Sequence, residues 1–201
     1  TVNGVVTDYT LHGKNVVHMT RESDELHFFY DAQNRPAVVV YNGVPYAYVK
    51  NLQGDVIAIL DAAGNVVVSY VYDAWGAPIG KSGSMAETLG MLNPFRYRGY
   101  VFDEETGLYY LRSRYYNAER CRFVNADKQI GCSKNIIEKN INAYCNNNPV
   151  NFVDYNGREP GDAFSSPDEA AIDFAECYNA LSISQNVEYA STIYKRTETK
   201  Y

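Results

Sequence analysis

Apolar and polar residues alternate in short runs over the first 80 residues, and polar turns separate the runs. The runs are rich in valine, tyrosine and phenylalanine, which favour β-strands. Asn-Gly and Asp-x-x-Gly sequences lie between them and supply the positive φ angles that tight hairpin turns require. The predicted strands include ELHFFY (25–30), AVVVY (37–41), VPYAYVK (44–50), VIAIL (56–60) and VVVSYVY (66–72). The pattern therefore predicts a mainly β fold built from successive antiparallel hairpins.

The turns of this series recur at roughly ten-residue steps between residues 51 and 77, which is typical of an internal repeat. Repeats of this kind bury their apolar faces by stacking on their neighbours. Two architectures fit the pattern: a closed small barrel or sandwich, and a slice of an extended array. The chain begins at Thr1 within the pattern, which favours the array and leads us to expect a longer precursor.

The sequence of residues 81–93 predicts a linker with one helical turn. An aromatic segment, residues 94–116, follows it. This segment predicts a strand over 96–103, a turn over 103–107 and a second strand over 108–117, so that Tyr97 and Tyr100 share a sheet with Tyr109 and Tyr115. Alternation along the second strand places its side chains on two faces. One face carries Tyr109, Leu111, Ser113 and Tyr115, and the other carries Tyr110, Arg112, Arg114 and Tyr116. Guanidinium groups stack on tyrosine rings, so we interpret the segment as a rigid Tyr-Arg wall.

Composition and charge exclude several classes of function. The apolar fraction of 46% and the charged fraction of 21% are those of a globular protein. A net charge of −6 argues against a general nucleic-acid binder, because phosphate binding needs a surplus of lysine and arginine. No run of residues approaches the ~20 apolar positions of a membrane helix. We therefore expect neither a nucleic-acid partner nor a membrane span.

The spacing of the cysteines indicates neither a zinc site nor a thioredoxin-like site. The four cysteines, at positions 121, 132, 145 and 177, include no Cys-x-x-Cys pair, so we expect buried free thiols. The three histidines, His12, His18 and His27, all lie near the start of the chain, which excludes a histidine-dependent site in the later segments.

The sequence FRYRGYVFDEETGLYYLRSRYYNAERCRFVNAD (95–127), followed by NAYCNNNPVNFVDYNG (142–157), resembles the core-associated segment of Rhs (rearrangement hot spot) or YD-repeat proteins. Upstream, YDAQNRP, YVKNLQGDVIAILDAAGNVV and YVYDAWGAP resemble the YD repeats themselves. The resemblance implies a secreted or cell-surface bacterial β-shell that encloses a C-terminal toxin used in competition or against host cells. The implied partners are the rest of the shell, the toxin cargo and an immunity protein.

In many members of this family the core segment is also an aspartyl autoprotease, and the resemblance places its carboxyl pair at Asp127 and Asp154. Such a pair hydrolyses a peptide when one ionised aspartate activates water and a protonated partner binds the scissile carbonyl. The resemblance places the cut shortly after Gly157, near Arg158 or Glu159.

The sequence departs from the family pattern at Cys121, where the family has glycine, and at Lys128 and Tyr155, where it has proline. Two alternatives to autoproteolysis stay open. The two aspartates could cap turns, as aspartate commonly does. The tyrosine-rich sheet could instead form a non-enzymatic surface that binds a carbohydrate or a receptor.

Residues 159–201 differ in pattern from the hairpins. A capping box at 166–169 and apolar residues at helical spacing predict a helix over 167–181, and a strand follows at 187–196. This tail resembles the opening of a toxin domain related to JAB/MPN metallopeptidases, in which Glu188 would assist a zinc site. The zinc ligands of that family have no counterpart up to Tyr201, so we expect no metal and no cofactor. The predicted domains are thus YD-repeat hairpins (1–80), the core segment (81–158) and the start of a toxin-like α+β domain (159–201).

Overall fold

The computed structural model describes residues 5–126, 140–154, 157 and 161–162. Antiparallel β structure dominates these residues, which confirms the predicted fold class. The first sheet has eight strands: β1 (Thr7–His12), β2 (Asn15–Arg21), β3 (Asp24–Tyr30), β4 (Pro36–Tyr41), β5 (Val44–Lys50), β6 (Val56–Leu60), β7 (Val66–Tyr72) and β8 (Pro78–Ser82). Each strand pairs with the next along the chain, and β1 and β8 are the end strands. Within the described residues the sheet is therefore open, as in an array, and β1 and β8 do not pair to close a barrel.

Four connections in this sheet use the same five-residue turn, which explains the recurrence of turns along the sequence. The side chain at its first position accepts a hydrogen bond from the backbone N–H of its fifth residue, and its fourth residue has a positive φ. In the turn 61–65, Asp61 Oδ1 accepts from the backbone of Asn65 at 2.8 Å, and Gly64 has a φ of 85°. The other three copies are at 31–35, 51–55 and 73–77.

One face of the eight-stranded sheet packs against the segment that follows it. The buried cluster contains Met19, Leu26, Phe28, Val39, Tyr48, Val56, Ile59, Val67, Val68, Tyr70, Leu89 and Phe95. Leu89 begins the single helical turn α1 (Leu89–Leu92), which confirms the predicted turn. Phe95 packs edge-on against Phe28, with ring centroids 5.0 Å apart. The segment 81–93, which we predicted to be a linker, therefore helps to cover the apolar face of the sheet.

The second sheet shows that the predicted single strand over 108–117 is wrong. Its strands, in spatial order, are β12 (Arg122–Phe123), β11 (Tyr115–Asn117), β10 (Leu108–Tyr110) and β9 (Val101–Asp103). The chain reverses between β10 and β11, at 111–114, where Arg112 has a φ of 65°.

This reversal also overturns the predicted faces. Tyr109 lies opposite Tyr116 and Tyr110 opposite Tyr115 across the antiparallel pair. Because cross-strand partners share a face, Tyr109 and Tyr116 are both buried, whereas Tyr110 and Tyr115 are both exposed.

The predicted strand over 96–103 is shortened for a similar reason. Tyr97–Gly99 forms a 3-10 turn, in which Arg98 has a φ of 55° and Gly99 a φ of 67°. Tyr97 and Tyr100 therefore lie outside the sheet that we predicted them to share with Tyr109. Their rings nevertheless pack against Tyr109, with centroids 6.1 and 6.4 Å away.

Three arginines of the aromatic segment, Arg96, Arg98 and Arg114, lie in the core and not on a sheet surface, whereas Arg112 is exposed. Arg96, Arg98 and Arg114 are 3%, 5% and 6% exposed. The Cζ atom of Arg96 lies 4.2 Å from the ring centroid of Tyr70, and that of Arg114 lies 3.6 Å from the ring centroid of Phe123. Arginine–aromatic stacking occurs as expected, but the predicted Tyr-Arg wall is wrong in its location.

Gly107 ends the turn between β9 and β10 with a φ of 68°, as predicted. A Cβ at this position would meet no other atom within 4 Å, so a side chain there costs only backbone strain. We expect Gly107→Val to lower the free energy of unfolding by about 1 kcal/mol or more in urea denaturation. Gly107→Asn is the matched control, because asparagine tolerates positive φ, and it should cost less than valine. Equal costs for the two variants would contradict this explanation.

The remaining described residues form a short pair of strands, β13 (Phe152–Val153) and β14 (Gly161–Asp162). The predicted helix over 167–181 and the predicted strand over 187–196 lie outside the described residues. Within the described part of the chain, no helix has the length and apolar character that a membrane crossing needs.

Candidate functional site

The carbonyl oxygen of Gly157 is held by two donors from the reversal between β10 and β11. The Ser113 hydroxyl donates to it at 2.7 Å, and Arg114 Nε donates to the same oxygen. Gly157 has a φ of 70°, and a Cβ there would lie 2.6 Å from the Leu111 carbonyl oxygen. Only glycine therefore allows this close approach of backbone to backbone.

Asp154 lies beside the same arginine. It directly follows β13, is 1% exposed, and its Oδ2 lies 3.5 Å from an Nη atom of Arg114. Its backbone N–H donates to the Tyr100 hydroxyl at 3.1 Å, and that hydroxyl is 3.1 Å from the Tyr144 hydroxyl. Arg114 thus connects the buried carboxylate of Asp154 to the carbonyl of Gly157.

Several neutral groups lie near this site. Burial raises the pKa of the Tyr100 and Tyr144 hydroxyls well above their ordinary range. Burial also raises the pKa of the Cys145 thiol to about 12, so this free cysteine is protonated at neutral pH. The prediction of a buried free thiol is confirmed for Cys145, whereas the free Cys121 is only half-buried. Cys132 and Cys177 lie outside the described residues.

Of the predicted site residues, the structure brings together Asp154 and Gly157, through Arg114. Asp127 lies outside the described residues, as do Arg158, Glu159 and Glu188. The first described segment, residues 5–126, ends one residue before Asp127. There, the backbone N–H of Tyr115 donates to Asn125 Oδ1 at 3.2 Å, and that of Val124 donates to the Tyr115 carbonyl at 2.8 Å.

Sequence reasoning missed Ser113 and Arg114 as site residues. It assigned them to opposite faces of one continuous strand, which would have kept them from a common partner. The reversal at Arg112 brings both side chains to one carbonyl oxygen. The sequence carries no local signal for this reversal, because arginine seldom adopts positive φ.

Comparison with known proteins identifies the family. The model of the family described as Teneurin YD-shell matches residues 15–153, from β2 to the residue before Asp154. The "tRNA nuclease WapA" of Bacillus subtilis (strain 168) is 41% identical over 161 residues, which cover 78% of this chain and 7% of that protein. The "Putative uncharacterized protein YlbH" of Escherichia coli (strain K12) is 35% identical over 107 residues, which cover 53% of this chain and 41% of that protein. The chain thus spans only a small part of the WapA proteins.

Solved structures show the same fold at low sequence identity. A crystal structure of TcdB2-TccC3-Cdc42 matches 77% of this chain and 7% of its own, with a TM-score of 0.58 and 23% identity. The Photorhabdus luminescens Tc holotoxin pore matches 81% of this chain and 8% of its own, with a TM-score of 0.58 and 21% identity. The serial eight-stranded hairpin sheet and the match over residues 15–153 together show that the chain belongs to the Teneurin YD-shell family.

Proposed function

We propose that the chain is a section of an exported bacterial toxin shell whose core segment cleaves the chain after Gly157. The observation that carries the proposal is the Gly157 carbonyl, which accepts from Ser113 and Arg114 while Arg114 contacts the buried Asp154. The proposed scissile peptide joins Gly157 to Arg158, where the resemblance to Rhs proteins places the cut.

The two donors would act as an oxyanion hole. When water attacks the Gly157 carbonyl carbon, negative charge develops on the carbonyl oxygen. The Ser113 hydroxyl and the Arg114 guanidinium are already aimed at this oxygen and would stabilise the charge without rearrangement. A third group must take a proton from the water, and a fourth must give one to the departing amine of Arg158.

The carboxyl pair would supply both proton transfers. A neighbouring guanidinium favours the ionised form of a carboxyl group, so we assign Asp154 as the base that takes the proton from water. Asp127 would then be the protonated partner that binds the carbonyl and gives its proton to the amine. The described chain supports this placement, because Asn125, two residues before Asp127, contacts Tyr115, the neighbour of Arg114.

The sheet supports the shell part of the proposal. The end strands β1 and β8 present backbone groups at which further YD-repeat strands can pair. In this proposal the hairpins of residues 1–80 form the wall and residues 81–158 the core segment. Residues 159–201 begin the toxin cargo, which resembles JAB/MPN metallopeptidases at Glu188. The names of the similar proteins, a tRNA nuclease and a Tc holotoxin pore, support a toxin cargo.

Mass spectrometry of the expressed chain tests the cleavage. We expect two fragments, residues 1–157 and 158–201. An intact chain of 22.7 kDa after prolonged incubation would contradict autoproteolysis and leave the shell assignment, which rests on the family match, unaffected.

Removal of one oxyanion donor tests the assignment of the site. We expect Ser113→Ala to slow cleavage by about 10²-fold or more, because the loss of one such donor has this effect in other peptide hydrolases. The measurement is a time course of fragment formation during cell-free translation. Thr106→Ala is the matched control, since the Thr106 hydroxyl donates to Asp103 in the exposed turn before β10. Cleavage of Ser113→Ala at the control rate would exclude the hydroxyl as an oxyanion donor.

A further inference from the structure

A cluster of two histidines and a glutamate lies on the face of the eight-stranded sheet opposite its core. His18 on β2 and His27 on β3 are direct cross-strand partners, and their rings stack with centroids 4.4 Å apart. Glu25 lies two residues before His27 and therefore points to the same face. The register of β2 against β3 thus brings together three side chains that each offer a metal-ligating atom.

The distances between these atoms are close to those around one metal ion. Glu25 Oε1 lies 3.0 Å from His18 Nε2 and 3.2 Å from His27 Nε2, and the ligand atoms all lie within 4.8 Å of one another. Ligand atoms bound tetrahedrally to zinc at 2.0–2.1 Å are separated by about 3.3 Å. A small rotation of the two imidazoles would therefore complete three corners of such a tetrahedron.

We propose that His18, Glu25 and His27 form a binding site for a divalent transition-metal ion of the zinc type. Two imidazole nitrogens and one carboxylate oxygen suit Zn²⁺, Cu²⁺ or Ni²⁺, whereas Mg²⁺ and Ca²⁺ prefer oxygen ligands alone. The side chain of Glu25 is 54% exposed, so an ion and a water as fourth ligand can reach the site from solvent. This proposal does not depend on autoproteolysis.

The ion would connect two neighbouring strands of the hairpin series. All three ligands lie on β2 and β3 and not on loops, so the sheet holds them in place before the metal binds. The unfolded chain lacks this arrangement, and zinc should therefore stabilise the folded state by mass action. Sequence reasoning expected no metal site, because the cysteines include no Cys-x-x-Cys pair and the tail lacks the zinc ligands of the family that it resembles.

Isothermal titration calorimetry with ZnCl₂ on the chelator-treated 201-residue chain tests the proposal. We expect one saturable zinc site per chain and no binding of MgCl₂. His18→Gln and His27→Gln should each weaken zinc binding by about tenfold or more, because each removes a direct ligand. His12→Gln is the matched control: His12 is an exposed histidine at the end of β1, outside the cluster, and its replacement should leave the affinity unchanged.

Circular dichroism of each variant tests whether the β-sheet is retained, and Glu25→Gln provides a third variant at an exposed position. The thermal midpoint of the parent chain should rise with added zinc, and that of His18→Gln should not. The proposal is overturned if zinc shows no saturable binding, or if His12→Gln weakens binding as much as the cluster variants do. Unchanged zinc affinity in both His18→Gln and His27→Gln would also overturn it.

Discussion

Asp154→Asn and Asp127→Asn are each expected to abolish cleavage after Gly157. Asparagine keeps the shape of aspartate but can neither take a proton from water nor give one to the leaving amine. The mechanism needs one carboxyl group for each task, so the loss of either stops the reaction and leaves only the stabilised carbonyl. The measurement is mass spectrometry of each expressed variant, with the intact chain of 22.7 kDa as the expected species.

Asp103→Asn is the control for this experiment. Asp103 is also an aspartate of the core segment, and its carboxylate accepts from the Thr106 hydroxyl at 2.7 Å in the turn after β9. The variant should lose only a turn cap and should still cleave. Fragments 1–157 and 158–201 from either Asp127→Asn or Asp154→Asn would end the autoprotease hypothesis.

The structure changes the expected stability of one of these variants. If Asp127 and Asp154 only capped turns, each would contribute about 1 kcal/mol to the free energy of unfolding. Asp154, however, is buried against Arg114, and a buried charge that loses its ionic partner costs roughly 3–5 kcal/mol. Cleavage of Asp154→Asn should therefore be measured at a temperature where circular dichroism shows that the variant is folded.

Asp55→Ala is expected to lower the free energy of unfolding by roughly 3–5 kcal/mol, the usual cost of breaking a buried ion pair. Asp55 is 6% exposed, and its Oδ1 accepts from the backbone N–H of Arg98 at 2.8 Å and lies 3.7 Å from Arg98 Nε. The alanine variant leaves the Arg98 guanidinium buried without its carboxylate. Arg98 also donates to the carbonyls of Gln53 and Pro149, so the pair joins the hairpin sheet to the core segment.

Urea denaturation followed by circular dichroism measures this effect, with Asn65→Ala as the matched control. Asn65 occupies the same fifth position in the next copy of the turn, but it is exposed. Its side-chain amide donates to Asp61, the first residue of its own turn. Its replacement should cost less than about 1 kcal/mol, the scale of an exposed substitution. A similar loss in the two variants would show that the buried pair contributes little.

The sequence by itself determined the hairpin series, because each part of it is local. In the turn 61–65, Asp61 at the first position and Gly64 at the fourth satisfy the turn without help from distant residues. The flanking runs are β-branched, and each strand pairs with its neighbour in the chain. The order and antiparallel direction of β1 to β8 follow from these short-range preferences.

The sequence predicted only some of the residues of the candidate site. The resemblance to Rhs proteins pointed to Asp154 and Gly157, and the structure describes both of them. Ser113 and Arg114 could not be predicted, because they meet at the Gly157 carbonyl only after the chain reverses at Arg112. That reversal gives an arginine a positive φ, and the burial of Tyr109 opposite Tyr116 offsets its local cost.

The tertiary structure alone decided where the charged residues of the core segment lie. Sequence reasoning placed arginines on a sheet surface, because it assumed strand alternation and the stacking of guanidinium groups on tyrosine rings. Arg98 is buried because the carboxylate of Asp55, 43 positions earlier in the chain, reaches its backbone and guanidinium. His18 and His27 meet for a related reason: both positions can be read from the sequence, but the register of β2 against β3 sets their distance. Contacts of this kind depend on which elements pack together, and local preferences along the chain carry no information about them.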